Sequence, residues 1–265
     1  TVLRQVDRLG RHCLLFHEQR RPARPEEVLV LDGFRSFESG QYWPFDANLV
    51  VGASHYVYGF NDAELRRGGT MKPAQRRKRA ALEERYGRPD PQATRKAVQE
   101  LLGRLLPAEH QVELWSDEHQ SYPRAIRRLK DRQVRHRTIS SKASRTARNP
   151  LFPVNLADLL LRHTGANHKR ETIAFSKRRQ CAMYRVAIWA VWRNYVKSRS
   201  ERRKDETPAQ LLGISSKRLS VRDVLSLRLF PSRVEIGGWM RACYERRIPT
   251  RRLPGSTVHQ LRLAF

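Results

Sequence analysis

The sequence predicts an α/β fold: a mixed five-stranded sheet flanked by helices, with a basic helical insertion and a helical C-terminal extension. Three observations support this prediction. Apolar runs rich in Val and aromatic residues recur along the first half of the chain, as is typical of strands. Stretches with apolar residues every three or four positions follow, as is typical of amphipathic helices. The strands come first as a group and then alternate with helices, which is the order of a mixed α/β sheet.

The predicted strands are short apolar runs bounded by polar or turn residues. They are residues 27–32, two strands joined by a turn within 48–60, then 111–117 and 134–139. Residues 44–46 contain a proline and an aspartate and predict a turn. Two of the predicted strands end in an acidic residue, Asp32 and Asp117.

The predicted helices separate the later strands. They are a basic helix within the insertion 66–91, an amphipathic helix at 92–106, a basic helix at 122–130 and a long helical region at 154–197. The last of these carries an apolar stripe that indicates burial, and Thr164 and Gly165 are positions where it could be interrupted. The resulting order is three strands, helix, strand, helix, strand, helix. Ribonuclease-H-like domains have this order.

Three regions are expected along the chain. Residues 1–26 are a basic N-terminal remnant, either a short helix or an extended lead-in; residues 27–197 form the α/β domain, including the insertion 66–91; residues 198–265 form the C-terminal extension. Because the sequence begins with Thr1 rather than Met, we expect a fragment that lacks its natural N-terminus.

The net charge points to a polyanionic partner. The chain has 265 residues with 53 Lys and Arg against 26 Asp and Glu, a net charge of +27. Such a charge repels itself unless a polyanion is near, and nucleic acid is the obvious one. The arginines also cluster, at 76–79, 124–137, 177–179, 199–204 and 246–252. A merely basic, solvated surface is the alternative explanation.

Composition also excludes several classes of protein. The chain has no run of about 18 apolar residues, which a membrane-spanning helix would need. The three cysteines, Cys13, Cys181 and Cys243, are far apart and form no CxxC pair. Neither a disulfide framework nor a cysteine-rich zinc site is therefore expected, and a reduced cytoplasmic setting fits.

Three acidic residues form the candidate site. Asp32 and Asp117 follow predicted strands, and Glu171 lies near the start of the long helix. Strand ends of α/β sheets are where ligand groups gather. Three carboxylates could hold Mg²⁺ or Mn²⁺, and two such ions would clamp the oxygens of a phosphoryl transfer. Each acid alone also fits a turn or a solvated surface. The nearest rivals for the three places are Glu38, Asp46, Glu118 and Asp158.

Polar and basic residues around Glu171 predict contacts with DNA. On a helix, Asn167, Glu171, Ala174 and Arg178 would share one face, with Arg170 and Lys177 on either side. Asn167, Arg170, Lys177 and Arg178 are therefore candidate DNA-binding residues, although ordinary solvated charges would look the same. His119 follows Asp117 by two residues and could assist proton transfer if the strand continues that far.

Several segments resemble one known family. They are VLVLDGFRSF, WSDEHQSYP, ARNPLFPVNLADLLLRH and NHKRETIAFSKRRQ, within roughly residues 25–215. Together they resemble the DDE transposases of bacterial insertion sequences. The resemblance implies a ribonuclease-H-like catalytic domain in which Asp32, Asp117 and Glu171 are the catalytic residues and the ligands of two Mg²⁺ or Mn²⁺ ions. It also implies cleavage of DNA at element ends, strand transfer into target DNA, a homo-oligomer on DNA, and a bacterial cytoplasmic, nucleoid-associated location without a membrane partner.

One departure from the family concerns the N-terminus. Such enzymes usually carry an N-terminal DNA-recognition module, whereas only about 25 residues precede the first predicted strand here. His12, Cys13 and His17 could be the end of a truncated metal site or ordinary packed residues.

Three other functions are consistent with the sequence. The chain could be a catalytically inactive, basic DNA-binding remnant of a transposase. It could be another ribonuclease-H-like nuclease, acting on RNA or branched DNA, in which a fourth carboxylate often accompanies the first three. It could also be a structural RNA-binding protein, which would not need aspartates at strand ends.

Overall fold

The sheet has the predicted architecture. The computed structural model describes residues 2–169 and 174–250, and all statements below refer to them. The strands are β1 (Leu29–Phe37), β2 (Pro44–Gly52), β3 (Val57–Glu64), β4 (Val112–Ser116) and β5 (Val134–Thr138). They lie in the order β3-β2-β1-β4-β5. The β3–β2 and β2–β1 pairs are antiparallel, and the β1–β4 and β4–β5 pairs are parallel. This is a ribonuclease-H-like mixed sheet, which confirms the predicted fold class.

The helices fill both sides of the sheet and the C-terminal part of the chain. They are α1 (Val2–Arg20), α2 (Pro73–Tyr86), α3 (Ala93–Leu105), α4 (Ser121–Ile126), α5 (Phe152–Thr164), α6 (Arg179–Val191), α7 (Pro208–Leu211), α8 (Val221–Ser226) and α9 (Gly238–Tyr244). A 3₁₀ turn (Ala166–His168) follows α5, and a π-helical turn (Trp192–Val196) follows α6. Within the described residues, every helix is too short or too polar to cross a bilayer.

Helices pack on both faces of the sheet. Asn61 of β3 donates to the carbonyl of Ala97 in α3, at 2.6 Å. The next residue, Asp62, forms an ion pair with Arg179 of α6, at 2.9 Å. Consecutive strand residues point to opposite faces, so α3 and α6 cover opposite sides of β3. Gly59 lets α3 approach closely, because a Cβ there would lie 2.9 Å from the Leu105 methyl carbons.

The N-terminal segment is a longer and more buried helix than the sequence analysis anticipated. Helix α1 has 19 residues, and Cys13, Leu14 and Phe16 on it belong to the main hydrophobic core. It packs along α6, where Gly10 leaves room for the ring of Tyr184. The high density of arginines in residues 1–26 masked this apolar stripe.

Two predicted elements are wrong. Residues 44–46 belong to β2 rather than to a turn, and Asp46 is buried opposite Arg35 of β1. The long helical region is interrupted at Thr164 and Gly165, as predicted, but it is further divided into α5, the 3₁₀ turn, α6 and the π-helical turn, and residues 174–178 are not helical. Ser176 there pairs with the end of β1: its carbonyl accepts from Ser39 N at 2.7 Å, which competes with helix formation.

The C-terminal helix α9 is anchored at the β3 edge of the sheet. The indole of Trp239 donates to Asp62 Oδ1 at 2.6 Å, and the Trp239 amide donates to Glu100 of α3 at 3.0 Å. The Cys243 carbonyl accepts from Gln180 and Tyr184 of α6. Helix α9 therefore packs into the same core as the sheet and the helices that cover it.

A buried histidine makes the stability of this core dependent on pH. His17 of α1 is fully buried, and its Nε2 donates to the Tyr58 carbonyl at 3.0 Å. Burial lowers the pKa of His17 to about 4. Between that pH and about 6.5 the unfolded chain binds a proton that the folded chain excludes, so stability falls as the pH falls. From pH 7 to 5, we expect this group to remove about 2 kcal/mol of unfolding free energy.

His17→Phe should lack this contribution, so urea denaturation should show a smaller loss of stability between the two pH values for the variant. The same loss in wild type and variant would contradict the assignment.

Candidate functional site

The parallel pairing of β1 and β4 places two aspartates side by side. The pairing runs through Leu29–Leu114, Val30–Trp115 and Leu31–Ser116. The next residue on each strand is Asp32 and Asp117 respectively. The prediction that Asp32 ends its strand is wrong, because β1 continues to Phe37 in its pairing with β2. Only β4 ends here, and this leaves the two carboxylates at the edge of the parallel pairing.

The two carboxylates are close enough to repel each other. Burial raises the pKa of Asp32 to about 6, and the charge of Asp117 adds to this rise. The amide of Gly33 donates to Asp32 Oδ1 at 2.7 Å and opposes it. Two crowded carboxylates of this kind suit a hard divalent cation, which would relieve their repulsion.

Asp117 begins a tight turn into α4. Its Oδ1 accepts from the amide of His119 at 2.9 Å, and His119 Nδ1 accepts from the amide of Ser121 at 3.3 Å. Since β4 ends at Ser116, His119 does not share a strand face with Asp117, and the condition for its predicted role in proton transfer is not met.

A tyrosine that the sequence analysis did not assign to the site lies among the acids. The hydroxyl of Tyr122 in α4 donates to Asp32 Oδ1 at 3.5 Å. Burial raises the pKa of Tyr122 well above its usual value, and four carboxylates raise it further: Asp32, Asp117, Asp46 and Asp158. The hydroxyl therefore stays protonated and remains a hydrogen-bond donor. No sequence motif marks this residue, because its role depends on where α4 follows β4.

Three of the rival carboxylates have other partners. Asp46 accepts from the Arg35 guanidinium at 3.1 and 3.3 Å. Glu118 accepts from the amide and hydroxyl of Ser141 at 2.9 and 3.0 Å. Glu38 accepts from the Thr250 hydroxyl at 3.2 Å.

The fourth rival, Asp158, lies on α5, which runs alongside β1. The Arg162 guanidinium is over the Phe34 ring at 5.5 Å, and His168, in the 3₁₀ turn after α5, approaches the Ser36 hydroxyl at 3.4 Å. Asp32, Phe34 and Ser36 share one face of β1. Asp158 precedes Arg162 by one helical turn, as Asp32 precedes Phe34 by one strand repeat. The two contacts show that α5 and β1 run in the same direction. Asp158 therefore lies on the side of α5 that faces the Asp32 side of β1.

The third predicted carboxylate, Glu171, and the predicted DNA contact Arg170 lie outside the described residues. The described residues before and after them are attached to the C-terminal half of β1. Asn167 and His168 approach Ser36, and Ser176 pairs with Glu38.

The other predicted DNA-binding residues divide into two kinds. Asn167 is 2% exposed and donates to the Ser176 hydroxyl at 3.0 Å, so it is a packing residue rather than a surface residue. Lys177 and Arg178 are exposed, and the Lys177 ammonium lies 5.4 Å from the Phe175 ring. The common helical face predicted for Asn167, Ala174 and Arg178 does not form, because residues 174–178 are not helical.

A basic loop between β5 and α5 also approaches the site. Arg145 lies close enough to Asp32 for its positive charge to oppose the rise in the Asp32 pKa that burial causes. Glu118, next to Asp117, holds this loop through Ser141. Exposed Lys142 and Arg148 lie on the same loop. The sequence showed that this loop is basic but not that it reaches the carboxylates.

Within residues 2–169 and 174–250, no group of three or more His, Cys, Asp or Glu side chains is close enough to hold a metal ion. The N-terminal candidates are packed instead. His12 Nε2 donates to the Val224 carbonyl at 2.8 Å, His17 donates to Tyr58, and Cys13 is buried.

Comparison with family models finds no match, and comparison with curated proteins finds none either. Among solved structures, the chain is similar to a chain of the cryo-EM structure of the simian T-cell lymphotropic virus intasome in complex with PP2A regulatory subunit B56 gamma. The identity is 14% and the TM-score 0.31, over 76% of this chain. The match spans 58% of that chain, less than two thirds of its length. A similarity this low assigns no function.

Asp32 should make the metal-free protein less stable at neutral pH. The folded chain holds the Asp32 proton up to about pH 6, whereas the unfolded chain loses it near pH 4. Stability therefore falls as the pH rises through this window, by about 2 kcal/mol between pH 4 and 7. Asp32→Asn lacks this titrating group, so its free energy of unfolding should rise by this amount relative to wild type over the same pH range. Urea denaturation of both proteins with a chelator present measures this difference. Equal pH dependence of the two proteins would contradict the raised pKa.

Proposed function

We propose that the chain is a DDE-type DNA transposase, which cleaves DNA strands at element ends and transfers them into target DNA. The observation that carries this proposal is the juxtaposition of Asp32 and Asp117 where the parallel pairing of β1 and β4 ends. The ribonuclease-H-like sheet, the net charge of +27 and the sequence resemblance support it.

The donor chemistry fits divalent ions. Asp32 and Asp117 offer hard oxygen ligands. Burial raises the pKa of Asp32, the negative charge of Asp117 adds to this rise, and a bound cation would offset both effects. When bound, two Mg²⁺ or Mn²⁺ ions would stabilise the attacking and leaving oxygens of an in-line displacement at phosphorus.

The remaining residues would position the DNA. Arg145 approaches the carboxylates from the basic loop and would contact the phosphate backbone beside the cleaved bond. Lys177 and Arg178 are exposed beyond the end of β1 and would hold the backbone further along. The protonated hydroxyl of Tyr122 would hold the Asp32 carboxylate in place.

The third carboxylate has two candidates. The family resemblance assigns this role to Glu171, whereas the course of α5 along β1 favours Asp158. Either residue would bring a third oxygen donor to the pair formed by Asp32 and Asp117.

A second function is favoured by one observation. Four aspartates raise the Tyr122 pKa beyond the effect of its burial, and a four-carboxylate site is common in ribonuclease-H-like nucleases that act on RNA or branched DNA. A panel of duplex DNA, RNA–DNA hybrid and four-way-junction substrates separates the two functions. Preferential cleavage of the hybrid or the junction would favour the nuclease.

Asp117→Ala should abolish Mn²⁺-dependent nicking of supercoiled plasmid DNA, because it removes half of the carboxylate pair. Its affinity for duplex DNA should stay within a few-fold of wild type. For both proteins, affinity should fall steeply with salt, by about 10³-fold or more between 50 and 200 mM if six or more phosphates are contacted. Cleavage by the variant would contradict the catalytic assignment, and a flat salt response would contradict DNA binding. Wild-type DNA binding without metal-dependent nicking would favour an inactive remnant.

The third carboxylate can be identified by comparing Glu171→Gln with Asp158→Asn in the same nicking assay. Both changes keep the side-chain shape and remove the charge. If Asp158 is the third ligand, Asp158→Asn should lower the rate by at least about 100-fold, the scale on which a single electrostatic group acts in catalysis, and Glu171→Gln should have little effect. The reverse result would assign the role to Glu171. Thermal stability measured with and without Mn²⁺ provides an independent readout of metal binding.

A further inference from the structure

Helix α2 is an exposed, strongly basic helix that adds nothing to the hydrophobic core. It carries five basic residues against two acidic ones, and none of its 14 residues is buried. Most of the stability of a protein helix comes from packing an apolar face, and α2 has no such face. Its charge is therefore not explained by folding and points to a partner outside the chain.

Contacts along one side of α2 fix its orientation. Glu83 accepts from the Arg66 guanidinium at 2.8 and 2.9 Å, and Arg79 donates to the backbone of the preceding loop at 2.9 Å. The Tyr86 ring packs edge-on against Trp43 in the turn between β1 and β2, with a centroid distance of 5.7 Å. Since Arg79, Glu83 and Tyr86 are spaced by three or four residues, they share one side of the helix. The opposite side faces solvent.

The solvent-facing side of α2 presents three cations. Arg77, Lys78 and Arg85 lie there, are exposed, and form no ion pair with an acid in the described ranges. The Lys78 ammonium lies 5.3 Å from the Tyr42 ring, and the Arg85 guanidinium lies 5.1 Å from the Tyr86 ring. These rings hold two of the cations in place and leave their positive charge available to a partner.

Small side chains between the cations leave the helix surface accessible. Ala74 and Ala81 alternate with Lys78 and Arg85 at spacings of three or four residues, on the same side of the helix. One acid, Glu84, lies at the edge of this side, so the cations outnumber it three to one. The 14 residues of α2 span about 21 Å, the length of about six base pairs of duplex DNA. The backbone of a duplex therefore matches this side in charge and in length.

A basic cavity connects α2 with strand β1. Its volume is about 170 Å³, and its charged lining consists of Arg35 of β1, Arg66 before α2, Arg88 after α2, and Asp90, which pairs with Lys96 at 2.6 Å. This volume is below the range of about 300–1,000 Å³ that small-molecule sites occupy. It is several times the roughly 30 Å³ that one water takes. The cavity therefore suits a single phosphate group, which arginine forks bind well.

The cavity adjoins the carboxylate pair. Arg35 lies three residues after Asp32, a step of about 10 Å along the strand. It pairs with Asp46 at 3.1 Å, and about half of its side chain stays exposed. Burial raises the pKa of Asp32, and the charges of Asp117 and Asp46 add to this rise, so the Arg35–Asp46 pair lies close to the site. A DNA backbone that leaves the site along β1 reaches Arg35 first and α2 next.

We propose that Arg35, Arg66, Arg88 and the solvent-facing side of α2 form a basic track, which binds the backbone of duplex DNA beside the strand held at the carboxylate pair. The inference rests on the proposed function, since it takes DNA at Asp32 and Asp117 as given. The cavity would hold one phosphate, and the three cations of α2 would hold phosphates further along the duplex. These contacts would be independent of base sequence, because they reach only the backbone.

The first test measures how the affinity of the full chain for duplex DNA depends on salt, with a chelator present to prevent cleavage. The triple variant Arg77→Gln, Lys78→Gln and Arg85→Gln should reduce the slope of log affinity against log salt concentration by about 2 to 3, because each lost phosphate contact removes about 0.9. Arg88→Gln should reduce the slope by about 1.

A matched control removes the same charge from another surface. Lys217→Gln, Arg222→Gln and Arg228→Gln change three exposed residues around α8 and should together reduce the slope by less than about 1. An unchanged slope in the α2 variant, or an equal reduction in the control, would overturn the basic track and leave the proposed function intact. In that case α2 would face an acidic protein or solvent alone. Failure of the wild type to bind duplex DNA would overturn both proposals.

Two substitutions of Ala81 test the same side of α2 without removing a cation. Ala81 is exposed, so Ala81→Glu and Ala81→Gln should unfold thermally at the same temperature as each other. Ala81→Glu should bind duplex DNA about fivefold more weakly than Ala81→Gln at low salt, the effect of one like charge about 4 Å away in water. The difference should shrink as salt screens it. Equal affinities at low salt would contradict a phosphate backbone at this side.

Inorganic phosphate separates the DNA backbone from a free anion as the occupant of the cavity. At millimolar concentration it should stabilise the DNA-free protein against heat no more than chloride does at the same ionic strength, because one phosphate lacks the other contacts of the duplex. Stabilisation that Arg88→Gln abolishes would reassign the cavity to free phosphate.

Discussion

The pairing of β1 with β4 is the constraint on which the candidate site depends. It is parallel and short, and it ends after Leu31 and Ser116 while β1 continues along β2. This difference in strand length leaves Asp32 inside one strand and Asp117 just beyond the other, at adjacent positions. Two like charges are thereby placed together in a partly buried setting, which is unfavourable unless a proton or a cation is shared between them.

The surrounding elements support this arrangement from both faces. Helix α4 follows β4 directly and places the Tyr122 hydroxyl against Asp32, and Glu118 fixes the basic loop through Ser141. Helix α5 runs along the face of β1 from which Phe34 and Ser36 project. The two acids lie at the centre, and Arg145, whose charge acts on Asp32, comes from a loop, which can adapt to a flexible polyanion.

The local part of the fold could be predicted from the sequence, and the long-range part could not. Alternation in residues 111–117 and the apolar spacing in 92–106 identified β4 and α3, because both signals depend on near neighbours. Asp32 and Asp117 could be selected as candidates because each follows an apolar run. The positions of Tyr122, Arg145 and Asp158 near the aspartate pair depend on the packing of elements distant in sequence. The predicted helical face at Asn167 failed because Ser176 pairs with β1, a competition that periodicity does not reveal.

The burial of α1 also bears on how the chain reaches its folded state. Helix α1 packs along α6, and its Asp7 and His12 contact Arg246 and the Val224 carbonyl, more than 200 residues later. On a ribosome that adds about 5–20 residues per second, the apolar side of α1 waits for ten seconds or more before its partners emerge. Contacts of such high sequence separation slow folding. The apolar side of nascent α1 therefore stays exposed to aggregation until these partners have been synthesised.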